Sequence, residues 1–400
     1  MHKKSIERVM IGNENTKKGY LQSISIYERF NNMGMDELVQ EALDEQTQRV
    51  PEHKLKIYDR LMDFQEYVLE NYVGRSVQTH IGRIKTVYKR NRVKIPYLPP
   101  INQKQVKRNP SITYYDILTK EEIKEGIKYL TPSLKARVML MATGGYSINE
   151  TSTLTLRQFL DDLKPYHHSD DETALQKLSQ MDNVVWVTQL IRVKTQKPYF
   201  GICNPETVQA IAEAWIKKDL QYEKRKYGTE DLKLFNEGKT YVSQKMGKIN
   251  DDLGFGKAGG RRRFTPHSLR RFNATRLSGA SLSDAEHMSL NMIDEIQGRS
   301  MNNVQDKYIK TNPVRQKLMY VKVMNNVSLY NQYEYELIDG DVKVTCINHQ
   351  RKNRKLQDEN KKLKKELFQH QKADVELKNY IESVGKDTFK EQLERLLGEL

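Results

Sequence analysis

The chain has 400 residues and only two cysteines, Cys203 and Cys346. They lie far apart, so they form neither a disulfide framework nor a Cys-x-x-Cys metal pair, which suits a reducing cytosol. No apolar run reaches membrane-spanning length. The opening stretch MHKKSIERVMIGNENTKKGY carries basic residues but no apolar segment of a secretory signal. GFGKAGGRRRF has glycines and a lysine, but it lacks the Gly-Lys-Ser/Thr and the preceding apolar strand of a phosphate-binding loop. The contiguous HHSDDE, His167 to Glu172, offers metal-friendly groups without ligand spacing and reads as a solvated loop. No metal and no other cofactor is expected.

Acidic residues are scarce where their absence matters. Overall, 67 Lys and Arg stand against 52 Asp and Glu, a formal charge of +15 that favours a polyanionic partner, either nucleic acid or an anionic membrane surface. From Asn71 to Pro110 there is no Asp or Glu at all, and ten basic residues: Arg75, Arg83, Lys85, Lys89, Arg90, Arg92, Lys94, Lys104, Lys107 and Arg108. A solvated helix usually mixes signs. A run of one sign across a helix and its linker suits contacts to the phosphates of a DNA backbone.

The length allows two domains, or three short ones. The first hundred residues read as helices: Ile57, Leu61, Phe64 and Val68 make one apolar stripe, and a second helix lies near Val77–Tyr88. Pro96, Pro99 and Pro100 then predict a linker, so that 1–95 forms a helical domain and 96–113 a connection. Thr119 and Glu122 form a capping box that opens the next domain, 114–330. A helix through SLKARVMLMATGG stops at its glycines, NVVWVTQLIRVKTQKPYFGI reads as strand–turn–strand, and helix returns from Pro205 to Lys218. The stretch Gly228–Gly260 reads as loops. Helices follow at Pro266–Leu277 and Ser283–Ile296, the second with a Ser283/Glu286 capping box. Residues 331–400 are expected to be a charged helical tail. Leu356, Asn360, Leu363 and Leu367 there fit either a short coiled coil or a single docked helix.

Several chemically useful residues recur in a definite order. They are Gly145 and Glu150 after a helix, Lys194 and Lys197 in the strand turn, His267 and Arg270 in PHSLRRFNATRL, Arg299 after a glycine, and Tyr308 nine residues later. His-x-x-Arg alone says little. In this order the set resembles the tyrosine recombinases, or integrases, over about Thr119 to Pro313, and the basic N-terminal region resembles that family's core-binding domain. The QGR form, with arginine where many members carry histidine or tryptophan, is most similar to integrases of archaeal viruses and plasmids.

The resemblance implies a mainly α fold with a small β-sheet, with a helical core-binding domain followed by an α+β catalytic domain. Its activity would be site-specific cleavage and rejoining of double-stranded DNA at attachment-type sites, through a 3′-phosphotyrosine, by a homotetramer at the nucleoid of a host cell. Tyr308 would be the nucleophile and Arg270 and Arg299 phosphate donors. His267 would be an acid/base, and Lys194 would protonate the leaving oxygen, with Lys197 the second candidate. Arg261, Arg262 and Arg263 would contact the DNA backbone before the His267 helix.

One position departs from the pattern. Ser147 stands where the family carries its first arginine. Three readings follow: an arginine from elsewhere enters the site, Arg157 and Arg137 being nearest in sequence; the chain is a slow or catalytically impaired relative that still binds DNA; or it carries an inactivating substitution.

Overall fold

The computed structural model describes residues 4–192, 196–227, 232–279, 286–299, 312–338, 341–347, 363–367, 369–370, 376, 378–379 and 381–398. The architecture is mainly helical with small antiparallel sheets. No helix among the described residues is long and apolar enough to cross a membrane. The chain divides into two units, residues 1–112 with 258–260, and the remainder.

The first unit contains α1 (Lys4–Glu7), α2 (Glu14–Asn31), α3 (Met35–Thr47), α4 (Lys56–Asn71) and α5 (Arg75–Arg90). The expected stripe of α4 is buried, as are Val77, Ile81, Ile84, Val87 and Tyr88 of α5. These faces close a core around Tyr27, which meets Phe64 edge-on at 4.8 Å and shares a hydroxyl hydrogen bond with Tyr88 at 3.1 Å. The proline-marked segment packs against this unit: Leu98 and Val106 are buried in its core, and Gly74 N–H donates to the Lys107 carbonyl at 2.7 Å. The prolines set extended backbone there; they do not free it from the fold.

The second unit opens with α6 (Lys120–Ile127), whose Thr119/Glu122 capping box forms as expected. Then come α7 (Pro132–Thr143), α8 (Ile148–Thr151), α9 (Leu156–Asp162), α10 (Lys164–His167) and α11 (Asp171–Gln180). Strands β1 (Trp186–Ile191) and β2 (Pro198–Cys203) pair antiparallel, with Trp186 opposite Cys203 and Ile191 opposite Pro198. Helices α12 (Pro205–Ile216), α13 (Leu220–Tyr227) and α14 (Lys239–Asp252), then α15 (Pro266–Leu277) and α16 (Leu290–Ile296) follow, with two-residue strands β3 (Lys257–Ala258) and β4 (Arg261–Arg262) between α14 and α15 in the chain order, where residues 258–260 belong to the first unit. A further helix, Pro313–Val323, precedes the hairpin β5 (Tyr333–Ile338) and β6 (Asp341–Cys346). From Ser133 to Thr143 every residue of α7 except Lys135 is buried, as befits an element shared by two hydrophobic cores.

Four expectations are revised. Gly228–Gly260 is not all loop: α14 buries Val242, Met246 and Ile249, a helical spacing of four and three in otherwise polar sequence. Helix α16 starts at Leu290 with Ser289 as its cap, later than Ser283, which lies outside the described residues. HHSDDE is partly ordered: His167 is buried with Nε2 at 3.0 Å from the Leu160 carbonyl, and Asp170 caps α11. The tail does not begin at 331, because Tyr333, Val342, Val344 and Cys346 of the last hairpin belong to the core. Leu356 and Asn360 lie outside the described residues, while Leu363 and Leu367 are exposed.

Candidate functional site

The site is built where α7 stops. Gly144 closes the helix, and Gly145 turns the chain at φ +69°, a conformation that favours glycine. A side chain at Gly145 would also meet Gln297 Nε2 at 2.7 Å and the amide oxygen of Asn273. The next turn is held by a capping box. Ser147 N–H donates to Glu150 Oε2 at 2.6 Å, and Ser147 Oγ accepts from Glu150 N–H at 3.3 Å. Ser147 is thus occupied as a helix cap and offers no charge.

Helix α15 starts on a Thr265 cap with Pro266 in its first turn. His267 and Arg270 are three residues apart, hence on one helical face. Arg270 is buried: Nη1 donates to the Gly145 carbonyl at 3.0 Å and to Glu150 Oε2 at 3.1 Å, and Nη2 donates to the Gln297 carbonyl. Its pKa is lowered below the usual arginine value, by burial first, with the nearby charges of Arg192 and Arg299 adding and Glu150 opposing. A guanidinium stays charged under such a shift. His267 is exposed. Partial burial of its ring, then the charges of Arg271, Arg270, Arg299 and Arg261, lower its pKa.

The far wall is the end of α16. Gln297 caps the helix and Gly298 reverses the chain at φ +59°. A Cβ at Gly298 would lie 2.8 Å from the ring of Tyr199, which explains a glycine before Arg299. Arg299 is exposed and 3.4 Å from Asp294 Oδ1. Tyr199 presents a buried hydroxyl with no hydrogen-bond partner among the described residues, and burial and Glu150 push its pKa up, so it is a neutral phenol.

Arg192, one residue past β1, enters the same place. Its backbone N–H donates to the Lys197 carbonyl at 2.9 Å, closing the hairpin, and its Nη1 donates to the carbonyls of Gln297, at 3.2 Å, and Gly298. This residue was not among those expected at the site. The signal was present: with period two along a strand, Arg192 shares the inward side with Thr188 and Leu190, which are buried.

His267, Arg270 and Arg299 therefore come together, with Glu150 and Arg192. Lys194 and Tyr308 lie outside the described residues. Lys197 is exposed at the base of the hairpin. Arg157 is exposed on α9 and 3.5 Å from Asp171. Arg137 is fully buried, donating at 2.6–3.3 Å to Thr151, Glu237, Ile148 and Ser152.

The residues expected at a DNA backbone differ in how they are held. Arg263 uses all five of its N–H donors inside the fold, on Glu122, Asp116, Ile117 and Phe255, at 2.6–3.2 Å. Arg262 is paired with Asp251 at 2.6 Å. Arg83 donates to the Gly19 carbonyl and to Ser23, tying α5 to α2. Arg90 reaches the Arg8 carbonyl at 3.3 Å, and Lys85 is half-buried. Arg75, Lys89, Arg92, Lys94 and Arg261 are exposed.

No protein-family model matches the chain, and no curated protein matches it. Among solved structures it is similar to XerA recombinase, at 18% identity over 80% of this chain and 97% of that one, with a TM-score of 0.32. It is also similar to the XerH site-specific recombinase bound to difH substrate in a pre-cleavage complex, at 15% identity over 65% of this chain and 69% of that one, TM-score 0.38. The post-cleavage complex of XerH on palindromic difH gives 16% identity over 65% and 68%, TM-score 0.38. Likeness at this level assigns no role to any residue.

Proposed function

We propose that the chain is a tyrosine recombinase that cuts and rejoins double-stranded DNA at attachment-type sites. The observation that carries this reading is the convergence of His267, Arg270 and Arg299 in one cationic cluster, with Tyr308 nine residues beyond Arg299 in the chain. A phenol with an ordinary pKa of about 10 needs a base and a stabilised phosphate to act as a nucleophile. The lowered pKa of His267 keeps its imidazole neutral near pH 7, so it can take the Tyr308 proton. The Tyr308 oxygen then bonds to phosphorus while the bond to the 5′ oxygen breaks. Lys194 gives that oxygen its proton. Arg270 and Arg299 hold the charge that builds on the non-bridging oxygens. The 3′-phosphotyrosine keeps the energy of the broken phosphodiester, so the attack of a new 5′ hydroxyl reverses the step without ATP.

The finer reading is integration or excision of a mobile element of the kind carried by archaeal viruses and plasmids, by a homotetramer acting at the host nucleoid. Arg299 in the QGR motif and the charged C-terminal segment support it. The exposed Arg75, Lys89, Arg92, Lys94 and Arg261 would meet the DNA backbone.

The test is a duplex selected by the protein from a random-sequence pool, nicked to trap the intermediate, and run on a denaturing gel. A covalent adduct that Tyr308→Phe abolishes is expected. An adduct that survives Tyr308→Phe removes this tyrosine as the nucleophile. Relaxation of supercoiled plasmid without any preferred site would indicate a type IB topoisomerase-like enzyme instead. Ser147, an uncharged cap where a cation is expected, favours a second reading: a non-catalytic DNA-binding protein of the same fold. Salt-sensitive, sequence-selective binding with no adduct would establish it.

A further inference from the structure

We propose that Arg192 is a catalytic residue that holds the scissile phosphate together with Arg270, supplying the cation that position 147 lacks. The inference rests on the recombinase reading above and adds a residue to it.

Three observations carry it. The first is convergence: Arg192 from the β1–β2 hairpin and Arg270 from α15 both donate to the same carbonyl, that of Gln297. Two guanidiniums are thus oriented side by side by backbone oxygens.

The second is charge. The charges of Arg192 and Arg299 both bear on Arg270, whose paired carboxylate is Glu150. Glu150 Oε2 is already shared between Arg270 and the Ser147 backbone. Like charges gathered where water is partly excluded repel unless an anion completes the set. A phosphate diester with two non-bridging oxygens matches a pair of guanidinium forks.

The third is donor use. Arg263 and Arg137 spend five and four donors on internal partners. Arg192 spends only Nη1, so its Nε–H and both Nη2 hydrogens have no partner among the described residues. Arg270 likewise keeps Nε–H and one Nη2 hydrogen. The other candidates for the absent cation are engaged elsewhere, Arg137 in the core and Arg157 with Asp171.

The experiment uses the full chain and the nicked duplex on which the wild-type protein forms its adduct, under single-turnover conditions at saturating DNA. Arg192→Ala should slow adduct formation by about 10²–10³-fold, the cost of losing one oxyanion donor, while DNA affinity changes far less. Arg157→Ala should leave the rate within about twofold, since surface substitutions of this kind perturb little. Arg192→Lys, which keeps the charge, should recover part of the loss.

A second substrate carries a methylphosphonate at the scissile position, where one charged oxygen is replaced by methyl. With less charge to hold, the gap between wild type and Arg192→Ala should shrink by about tenfold or more. A wild-type rate in Arg192→Ala overturns the proposal and leaves the recombinase reading intact. An equal loss on both substrates also overturns it, and makes Arg192 a structural tie of the hairpin. If the wild-type chain forms no adduct on any selected duplex, the recombinase reading itself falls, and this inference falls with it.

Discussion

At the scale of single residues, the site depends on which hydrogen-bond donors the fold leaves unspent. Arg263 and Arg270 flank the same helix start, and both were expected to meet phosphate, one on the DNA backbone and one at the site. Arg263 is consumed by five internal acceptors, whereas Arg270 is oriented by three and keeps its remaining edge. That difference depends on where Glu122, Asp116 and Gln297 arrive in space, so it could not be read from the chain. His267 has a consequence that can be measured. Its pKa is lowered from an ordinary value near 6.5 by burial and by Arg271, Arg270, Arg299 and Arg261. A base must be neutral to act, so the single-turnover rate should fall as pH drops through that lowered value, with the acid limb below about pH 6.5. Arg271→Gln removes one of the charges responsible and should move the limb upward. A limb that stays in place would mean that Arg271 does not set the proton affinity of His267. The same shift bears on stability: the unfolded chain takes up this proton first, so His267 costs the fold stability as pH falls below its ordinary pKa.

At the scale of elements, the legible parts were those whose signal is local. The Thr119/Glu122 box, the β1–β2 hairpin with its polar turn, and the Thr265–Pro266 start of α15 follow from spacing and residue type. Helix α14 was equally local, but its three apolar positions are diluted by lysine, aspartate and glycine. The last hairpin was harder to see, because β5 alternates only weakly and ends in exposed Leu337 and Ile338. The glycine pair after α7 was legible as a stop, though not as a joint on which three elements converge. Gly145 is left-handed and faces both Asn273 and Gln297, which bond each other at 2.7 Å. Gly145→Ala should therefore cost about 1–3 kcal/mol in denaturant unfolding, from backbone strain with the clash added. Gly82→Ala is the control. Gly82 is exposed on α5 with nothing within 4 Å of an added Cβ, so that change should stabilise by about 0.5–1 kcal/mol. Equal effects at the two positions would remove the special role given to Gly145.

At the scale of the whole molecule, the expected start of the second domain at 114 lies beside the division at 112/113, while the segment read as a connection, 96–113, falls almost wholly in the first unit. The prolines after α5 read as a break because local rules favour extended backbone there. Leu98 and Val106 reverse that reading only through long-range burial. The acid-free run from Asn71 to Pro110 remains the main electrostatic feature of the first unit, but its charges are not equivalent. Arg83 ties α5 to α2, whereas Arg75, Lys89 and Lys94 stand exposed. If the exposed set neutralises DNA phosphates, each contact releases condensed counterions, and log affinity falls with log salt by about 0.9 per phosphate on duplex DNA. Replacing Arg75, Lys89 and Lys94 together by alanine in the full chain should weaken binding and flatten that slope by about 2.7 if all three make contacts, with the melting temperature little changed. Arg83→Ala should do the reverse, lowering stability with a smaller change in slope, because it removes ties to the Gly19 carbonyl and Ser23. An unchanged slope in the triple variant would move the DNA-facing surface away from α5 and leave the charge run as a solvated face.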